Sequence, residues 1–182
     1  MDFRAYPLRL PHTLSDSVIR LDGHTLADAQ AHWEGEDEEM MLRFDSPQRA
    51  TLEQTRAAMG RWIDARAAGG PEFAYAIRQP SGVLMGGCAT YLITPDRANV
   101  SYWVFPTFRG QGYAGRALAL LCAAVAQAPR VEQIEAHVDA DNIASRRVAE
   151  KAGFIETGAI AAESRTGALA TRILYARPAT RP

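Results

Sequence analysis

The 182-residue sequence holds one lysine, Lys151, among its 20 basic residues, two cysteines, four histidines and no apolar run of eighteen residues. Without such a run no segment reads as a membrane-spanning helix. Met1 to Leu10, with Asp2, Arg4 and Arg9 and no apolar stretch behind them, does not read as a secretory leader. Cys88 and Cys122 stand far apart inside apolar stretches, Val83 to Ala89 and Ala117 to Val125. That excludes the close pairing of a zinc site and predicts two buried thiols in a reducing cytoplasm. His12, His24 and His32 are scattered and predict no metal constellation. Twenty-one acidic against 20 basic residues give a net charge of −1, too weak a field to recruit nucleic acid or an anionic membrane surface. The near-absence of lysine reads as genome composition.

What is present is material for a core: 47% apolar residues, with three Trp, six Tyr and six Phe. At this length they predict a single domain over residues 1–182. Val18 to Leu21 suggests an edge strand turned by Asp22-Gly23. Thr25 to His32 suggests a short helix, and the acidic run Glu34 to Glu39 a solvated loop, with a place beside an acceptor pocket as the alternative. Ser46-Pro47 has the signature of a helix start ahead of Leu52, Met59, Trp62, Ile63 and Arg66. The period then changes to that of an antiparallel meander, Glu72 to Arg78, Val83 to Ile93 and Ala98 to Val104. A helix over Gly112 to Gln127 follows, then a strand over Gln133 to Val138. A helix over Asn142 to Ala152 is capped by Asp141 or Asn142, and a closing hairpin, Phe154 to Ala162 with Thr171 to Ala176, turns across Glu163-Ser164-Arg165-Thr166-Gly167. The order predicts a mixed α/β domain around one sheet.

Between the strand ending at Val104 and the helix from Gly112 lies Arg109-Gly110-Gln111-Gly112-Tyr113-Ala114. Glycines let backbone approach an anion, and the first-turn N–H groups have no intrahelical partners, so the junction suits a phosphate. A tight turn with no ligand would need the same glycines. Gly110-x-Gly112-x-x-Gly115, with Asp139 further on, also fits a dinucleotide fingerprint, which makes a nucleotide-dependent oxidoreductase the rival reading. Too few βα units follow to build a doubly wound sheet.

Arg109-x-x-Gly112-x-Ala114 resembles the pyrophosphate motif of the GCN5-related N-acetyltransferases (GNAT). Asn142-Ile-Ala-Ser145 followed by Val148-Ala-Glu-Lys151-Ala-Gly153-Phe154 is similar to their second signature, in the RimJ/RimL-like branch. The resemblance runs from about residue 98 to 158, with residues 1–70 as the acceptor side. It implies the GNAT acyltransferase fold, a mostly antiparallel sheet splayed between its fourth and fifth strands, with acetyl-coenzyme A (acetyl-CoA) in the gap. Backbone groups of Trp103, Val104 and Phe105 would hold the pantetheine amides. The amides of Arg109, Gly110, Gln111, Gly112, Tyr113 and Ala114 would hold the pyrophosphate, and Asn142 and Ser145 would face the pantetheine and sulfur. The sequence departs from relatives at Asn99, where many carry Glu, at Gly115-Arg116 in place of Thr-Glu, and at Ala149, where other branches use a Tyr as general acid. Ser145 is the substitute the branch suggests for that Tyr, and Glu163 falls where the branch carries an acidic residue.

The chemistry narrows the acceptor. An amine attacks as the free base: at pH 7 an α-amine of pKa near 8 loses about 1.4 kcal/mol to be neutral, a lysine near 10.4 about 4.6 kcal/mol. A sparse acid–base inventory therefore suits a protein or peptide N-terminus, otherwise a small amine such as an antibiotic or polyamine. Candidate catalytic residues are Ser145 and Glu163, with Glu135 and His137, two apart on one strand, as an alternative base. Plain capping by Asn142 and Ser145, and a non-catalytic acyl-CoA-binding module, fit the same residues. Self-association as a homodimer stays open.

Overall fold

The computed structural model describes residues 8–44, 46, 48–70, 72–163 and 169–180. Its elements are β1 (Leu14–Ser15), β2 (Arg20–Gly23), a 3-10 turn (Leu26–Asp28), α1 (Ala29–Gly35), α2 (Glu38–Arg43), α3 (Leu52–Ala67), β3 (Glu72–Arg78), β4 (Leu84–Thr94) and β5 (Arg97–Val104). A second 3-10 turn (Pro106–Phe108), α4 (Tyr113–Ala126), β6 (Gln133–Asp139), α5 (Ile143–Lys151), β7 (Ile155–Glu163) and β8 (Leu169–Pro178) complete it. The strands form one sheet in the order β1-β2-β3-β4-β5-β6-β8-β7. Among the described strands only β5 and β6 run parallel. This is the expected mixed fold. The two-residue β1 adds a strand at the edge, so β2 is an inner strand rather than an edge, and the splayed pair is the fifth and sixth.

Three N-terminal expectations change. The helix before β3 starts at Leu52, not at Ser46: the Thr51 hydroxyl accepts the Gln54 N–H while the Gln54 side chain accepts the Thr51 N–H, a reciprocal cap that Ser46 could not make five residues away. The Thr25 to His32 helix divides into a 3-10 turn and α1, which runs on to Gly35. The acidic run is not one loop: Glu34 lies in α1, Glu36 and Asp37 form a two-residue junction, and the rest starts α2. Asp37 caps α2 by accepting the Met40 N–H, and Glu38 and Glu39 lie in its first turn, where negative charge meets the positive end of the helix dipole. In the closing hairpin, residues 164–168 of the expected turn lie outside the described residues.

Strand alternation sorts the core onto two faces. Val100, Val104, Ile134, Ala136, Val138 and Tyr175 pack with Leu118, Leu121 and Val125 of α4 and Ala149 of α5. Full burial of a Leu or Val side chain contributes about 2 kcal/mol. The other face sets Ala74, Ala76, Ala89, Trp103 and Phe105 against Met40 of α2 and Trp62 of α3.

β5 and β6 pair only at Arg97 with Gln133, Ala98 with Ile134 and Asn99 with Glu135. Beyond these three positions β5 continues against β4 alone and β6 against β8 alone. The sheet is therefore split, with one backbone edge of β5 unpaired from Val100 onward.

Candidate active site

The split opens into a groove of about 1340 Å³ lined from both sides of the sheet. Tyr102, Val104, Ala119, Leu120, Asn142 and Ser145 line it from the α4–α5 side. Trp103, His137, Asp139, Glu39, Met40, Arg43 and Phe44 line it from the α2 side. Such a volume exceeds what a drug-sized ligand fills.

At one end sits the glycine junction. Gly110 (φ 76°) and Gly112 (φ 82°) adopt left-handed backbone, and a side chain added at either would meet nothing within 4 Å. The space in front of them is open. Gly112 is the N-cap of α4 and has no side chain to cap with, so the first-turn amides of Tyr113, Ala114 and Gly115 face that space. A pyrophosphate fits this cradle: free N–H donors, a helix N-terminus and no Cβ in the way. Gln111 is exposed and spends its side-chain amide on Thr107 O, 3.2 Å away.

Arg109 lines the groove, but its guanidinium is turned toward α2. Nη1 donates to Asp37 Oδ2 (2.6 Å) and Glu39 Oε2 (2.9 Å), Nη2 to Asp37 Oδ1 (2.8 Å), and Nε to Val104 O (3.0 Å). The bond to Asp37 raises the Arg109 pKa, and the guanidinium holds the Asp37 carboxyl below the usual range. Arg109 thus fastens the acidic start of α2 to the loop, a pairing seventy residues apart that the sequence order hides. Lys151 and Arg116 also line the groove, Arg116 in a 2.8 Å ion pair with Asp16.

Backbone alternation decides which β5 groups face the split. The Phe105 N–H donates to Met85 O (2.9 Å) and its carbonyl accepts the Phe108 N–H (2.9 Å). Phe105 therefore faces β4, and its side chain is buried on the α2 side. By the two-residue period Trp103 and Ser101 also turn their backbone groups to β4. The Trp103 carbonyl is so close to Gly86 that a Cβ there would stand 2.2 Å from it. The groups free for a pantetheine are those of Tyr102 and the N–H of Val104. Trp103 offers the groove a side chain, and Phe105 does not line it.

Across the split, Asn142 is the N-cap of α5: its Oδ1 accepts the Ser145 N–H at 3.0 Å. Asn142 is thereby fixed and Ser145 Oγ is left to other partners. It lies 2.7 Å from the Tyr102 hydroxyl. Sequence reasoning passed over Tyr102. Its signal was parity: with Ala98, Val100 and Val104 it forms the alternate set of β5 that faces α4 and α5.

On the opposite face, His137 and Glu135 do meet. His137 Nε2 is 3.3 Å from Glu135 Oε2, while Glu135 Oε1 accepts Arg97 Nε (2.6 Å) and Gln133 Nε2 (2.7 Å). Glu135 is buried and His137 lines the groove. Glu163 does not line it. It is exposed and pairs in register with Leu169 at the outer end of the hairpin, three residues beyond the groove-lining Arg172. His24 and His32, scattered in sequence, come together with ring centroids 6.2 Å apart, among Trp62 and Trp103. Burial pushes the His24 pKa down to about 4. Among the described residues no three His, Cys, Asp or Glu side chains group to hold a metal ion, and no helix is long and apolar enough to cross a membrane. Cys88 and Cys122 are buried and free, and burial raises both thiols, Cys122 to about 12.

The rival dinucleotide reading loses its acid: Asp139 is bound to Arg43 (3.3 Å) and Arg172 (3.3 Å) on the α2 side, and the sheet is not doubly wound. The sequence model of the acetyltransferase (GNAT) domain family matches residues 19–155. No curated protein matches the chain in sequence. Among solved structures it is similar to RimL, a ribosomal L7/L12 α-N-protein acetyltransferase in complex with coenzyme A, at 21% identity and TM-score 0.77, covering 91% of this chain and 97% of that one. It is also similar to the Salmonella typhimurium acetyltransferase that modifies the N-terminal serine of L7/L12, at 22% identity and TM-score 0.79 over 90% and 96%. The microcin C7 self-immunity acetyltransferase MccE, in complex with acetyl-CoA and AMP, resembles it at 17% identity and TM-score 0.76 over 90% and 93%. With the cradle, the split sheet and this match together, the chain belongs to the GNAT family and is an acetyl-CoA-dependent N-acetyltransferase.

Proposed function

We propose that this enzyme acetylates α-amines, those of protein or peptide N-termini. The observation that carries the reading is the charge inventory of the groove. Among the described residues each carboxylate lining it is committed to arginine: Asp16 to Arg116, Glu39 to Arg109, and Asp139 to Arg43 and Arg172. Among the described lining residues His137 is left as the proton acceptor that no arginine neutralises. One imidazole suits an amine that gives up its proton for about 1.4 kcal/mol rather than the 4.6 kcal/mol of lysine. The similarity to acetyltransferases that act on the N-terminus of ribosomal protein L7/L12 supports the same acceptor class.

Acetyl-CoA, when bound, supplies the acetyl group and a thiol leaving group. The amides of Tyr113, Ala114 and Gly115 would hold the pyrophosphate, and Tyr102 and Val104 would offer backbone groups to the pantetheine. We assign the base to His137 rather than to Glu163. Glu135 accepts from Nε2–H and so fixes the tautomer, leaving Nδ1 to take the proton of the incoming ammonium. Ser145, on the other face, donates its hydroxyl hydrogen bond toward the sulfur.

A second reading, a small-molecule amine, is favoured by a neighbouring cavity of about 760 Å³ that meets the groove at Met40, Phe44 and Trp103 and is walled by His32 and Trp62. Thiol release decides between them. A lysine-free peptide with a free N-terminus should react at least tenfold faster than an N-blocked peptide with one lysine, and faster than polyamines. Faster lysine acetylation overturns the α-amine reading, and faster small-amine acetylation moves it to the second.

A further inference from the structure

Tyr102 reaches from β5 to α5. Its hydroxyl lies 2.7 Å from Ser145 Oγ and 3.0 Å from the Ser145 backbone carbonyl oxygen. Its side chain is part of the groove wall. A phenol has one proton, and here two acceptors compete for it. With that proton on the carbonyl, the serine hydroxyl donates to the phenol oxygen and its own proton is turned away from the groove. With the phenol proton on Oγ, the serine O–H is released and can point at whatever charge stands in the groove.

We propose that Tyr102 is the positioning residue for Ser145: as negative charge builds on the coenzyme sulfur, the pair moves from the first arrangement to the second, and two O–H donors in series, Tyr102 to Ser145 to sulfur, stabilise it. The proposal rests on the reading of Ser145 given above. No covalent bond forms or breaks, and each oxygen keeps its proton. Burial pushes the phenol up to about 12, against about 8.5 for an ordinary thiol, so passing a proton from the phenol to the sulfur runs uphill by more than three units. Donating a hydrogen bond carries no such penalty, and donors in series polarise one another. The other titratable groups that act on the phenol are Cys122 of α4 and Tyr175 of β8. Neither is hydrogen-bonded to the Tyr102 hydroxyl, so the serine is its partner. A strut that only ties β5 to α5 would use the same bonds, but it would change stability and leave the thiol alone.

The test reads the thiol itself. Coenzyme A is bound to the wild type, Ser145→Ala, Tyr102→Phe and the double variant, and the ionisation of the bound thiol is followed by its ultraviolet thiolate absorbance against pH, with kcat and KM measured beside it. In the wild type the bound thiol ionises below free coenzyme A. Ser145→Ala raises it by about one unit or more, Tyr102→Phe by part of that, and the double variant matches Ser145→Ala because Tyr102 acts only through the serine. Tyr102→Phe also lowers kcat several-fold with the KM for acetyl-CoA unchanged. If Tyr102→Phe ionises the thiol as the wild type does while Ser145→Ala does not, the Tyr102 proposal fails and the Ser145 reading stands. A further shift by Tyr102→Phe in the Ser145→Ala background also overturns it, since the phenol would then act directly. If Ser145→Ala leaves both thiol and kcat as in the wild type, the Ser145 reading itself falls.

Discussion

Two sides of one sheet meet at the split between β5 and β6, and they are made of different material. The α4–α5 side offers hydroxyls and amides, those of Tyr102, Ser145, Asn142 and the first turn of α4, drawn from one stretch of chain between residues 102 and 145. The α2 side offers charges and rings, Glu39, Arg43, His137 and Trp103 with His32 behind, gathered from separate segments and locked by ion pairs across 38 to 98 residues. On the proposed function one side handles the acetyl donor with neutral dipoles fixed by the backbone. The other would handle the charged acceptor, and its electrostatics depend on long-range pairing. Changes on the first side should therefore show in coenzyme binding and thiol chemistry, and changes on the second in amine chemistry and acid stability.

The largest effect expected is at the cradle. Gly112→Glu puts a side chain and a negative charge at a left-handed position in front of the α4 amides, and calorimetry should then detect no coenzyme A binding. Affinity like that of the wild type would dissolve the distinction between the sides. Next, His137→Gln should lower kcat/KM by about 10²–10⁴-fold at neutral pH while coenzyme A affinity stays put. A fall in coenzyme affinity instead would place His137 with the donor side.

The acid stability of the α2 side comes third. His24 is buried with its pKa lowered from 6.5 to about 4, first by desolvation and then by His32. Below pH 6.5 the unfolded chain binds a proton that the buried ring refuses. The contribution is present in full above 6.5 and is lost as the pH falls to about 4, in total roughly 3 kcal/mol. Urea unfolding across that range should show the slope, and His24→Phe should flatten it. The smallest effect is at α2. Asp37→Asn keeps a good N-cap but releases Arg109 from its main partner, so coenzyme A should bind about threefold to tenfold tighter, less so at high salt.

What the sequence made legible follows the same division. β3 has the expected bounds, Glu72–Arg78, because period-two patterning between a turn and a glycine pair has one solution. Asn142 is settled as the cap of α5 by its spacing to Ser145. These are local rules. On β5 the sequence identified the strand but not which of its two edges faces the split, so of the expected Trp103, Val104 and Phe105 parity keeps Val104 and sets Tyr102 in place of the other two. The acidic run looked solvated because its partner, Arg109, stands seventy residues away. His24 and His32 looked unrelated because they meet in the packing against Trp62 of α3 and Trp103 of β5, which their order in the chain does not show.

α2 is bound at its start to Arg109 and at its end, through Arg43, to Asp139 (3.3 Å) and Asp141 (2.6 Å), so it bridges the two arms of the split. An anion arriving at the glycine cradle finds Arg109, the arginine beside Gly110 in the chain, already paired with two carboxylates. A chloride or an acetate gains too little there to displace them, whereas a pyrophosphate has several oxygens to share among the α4 amides as well. The pairing should therefore make the cradle select by valence, favouring multivalent anions by withholding a cation from simple ones.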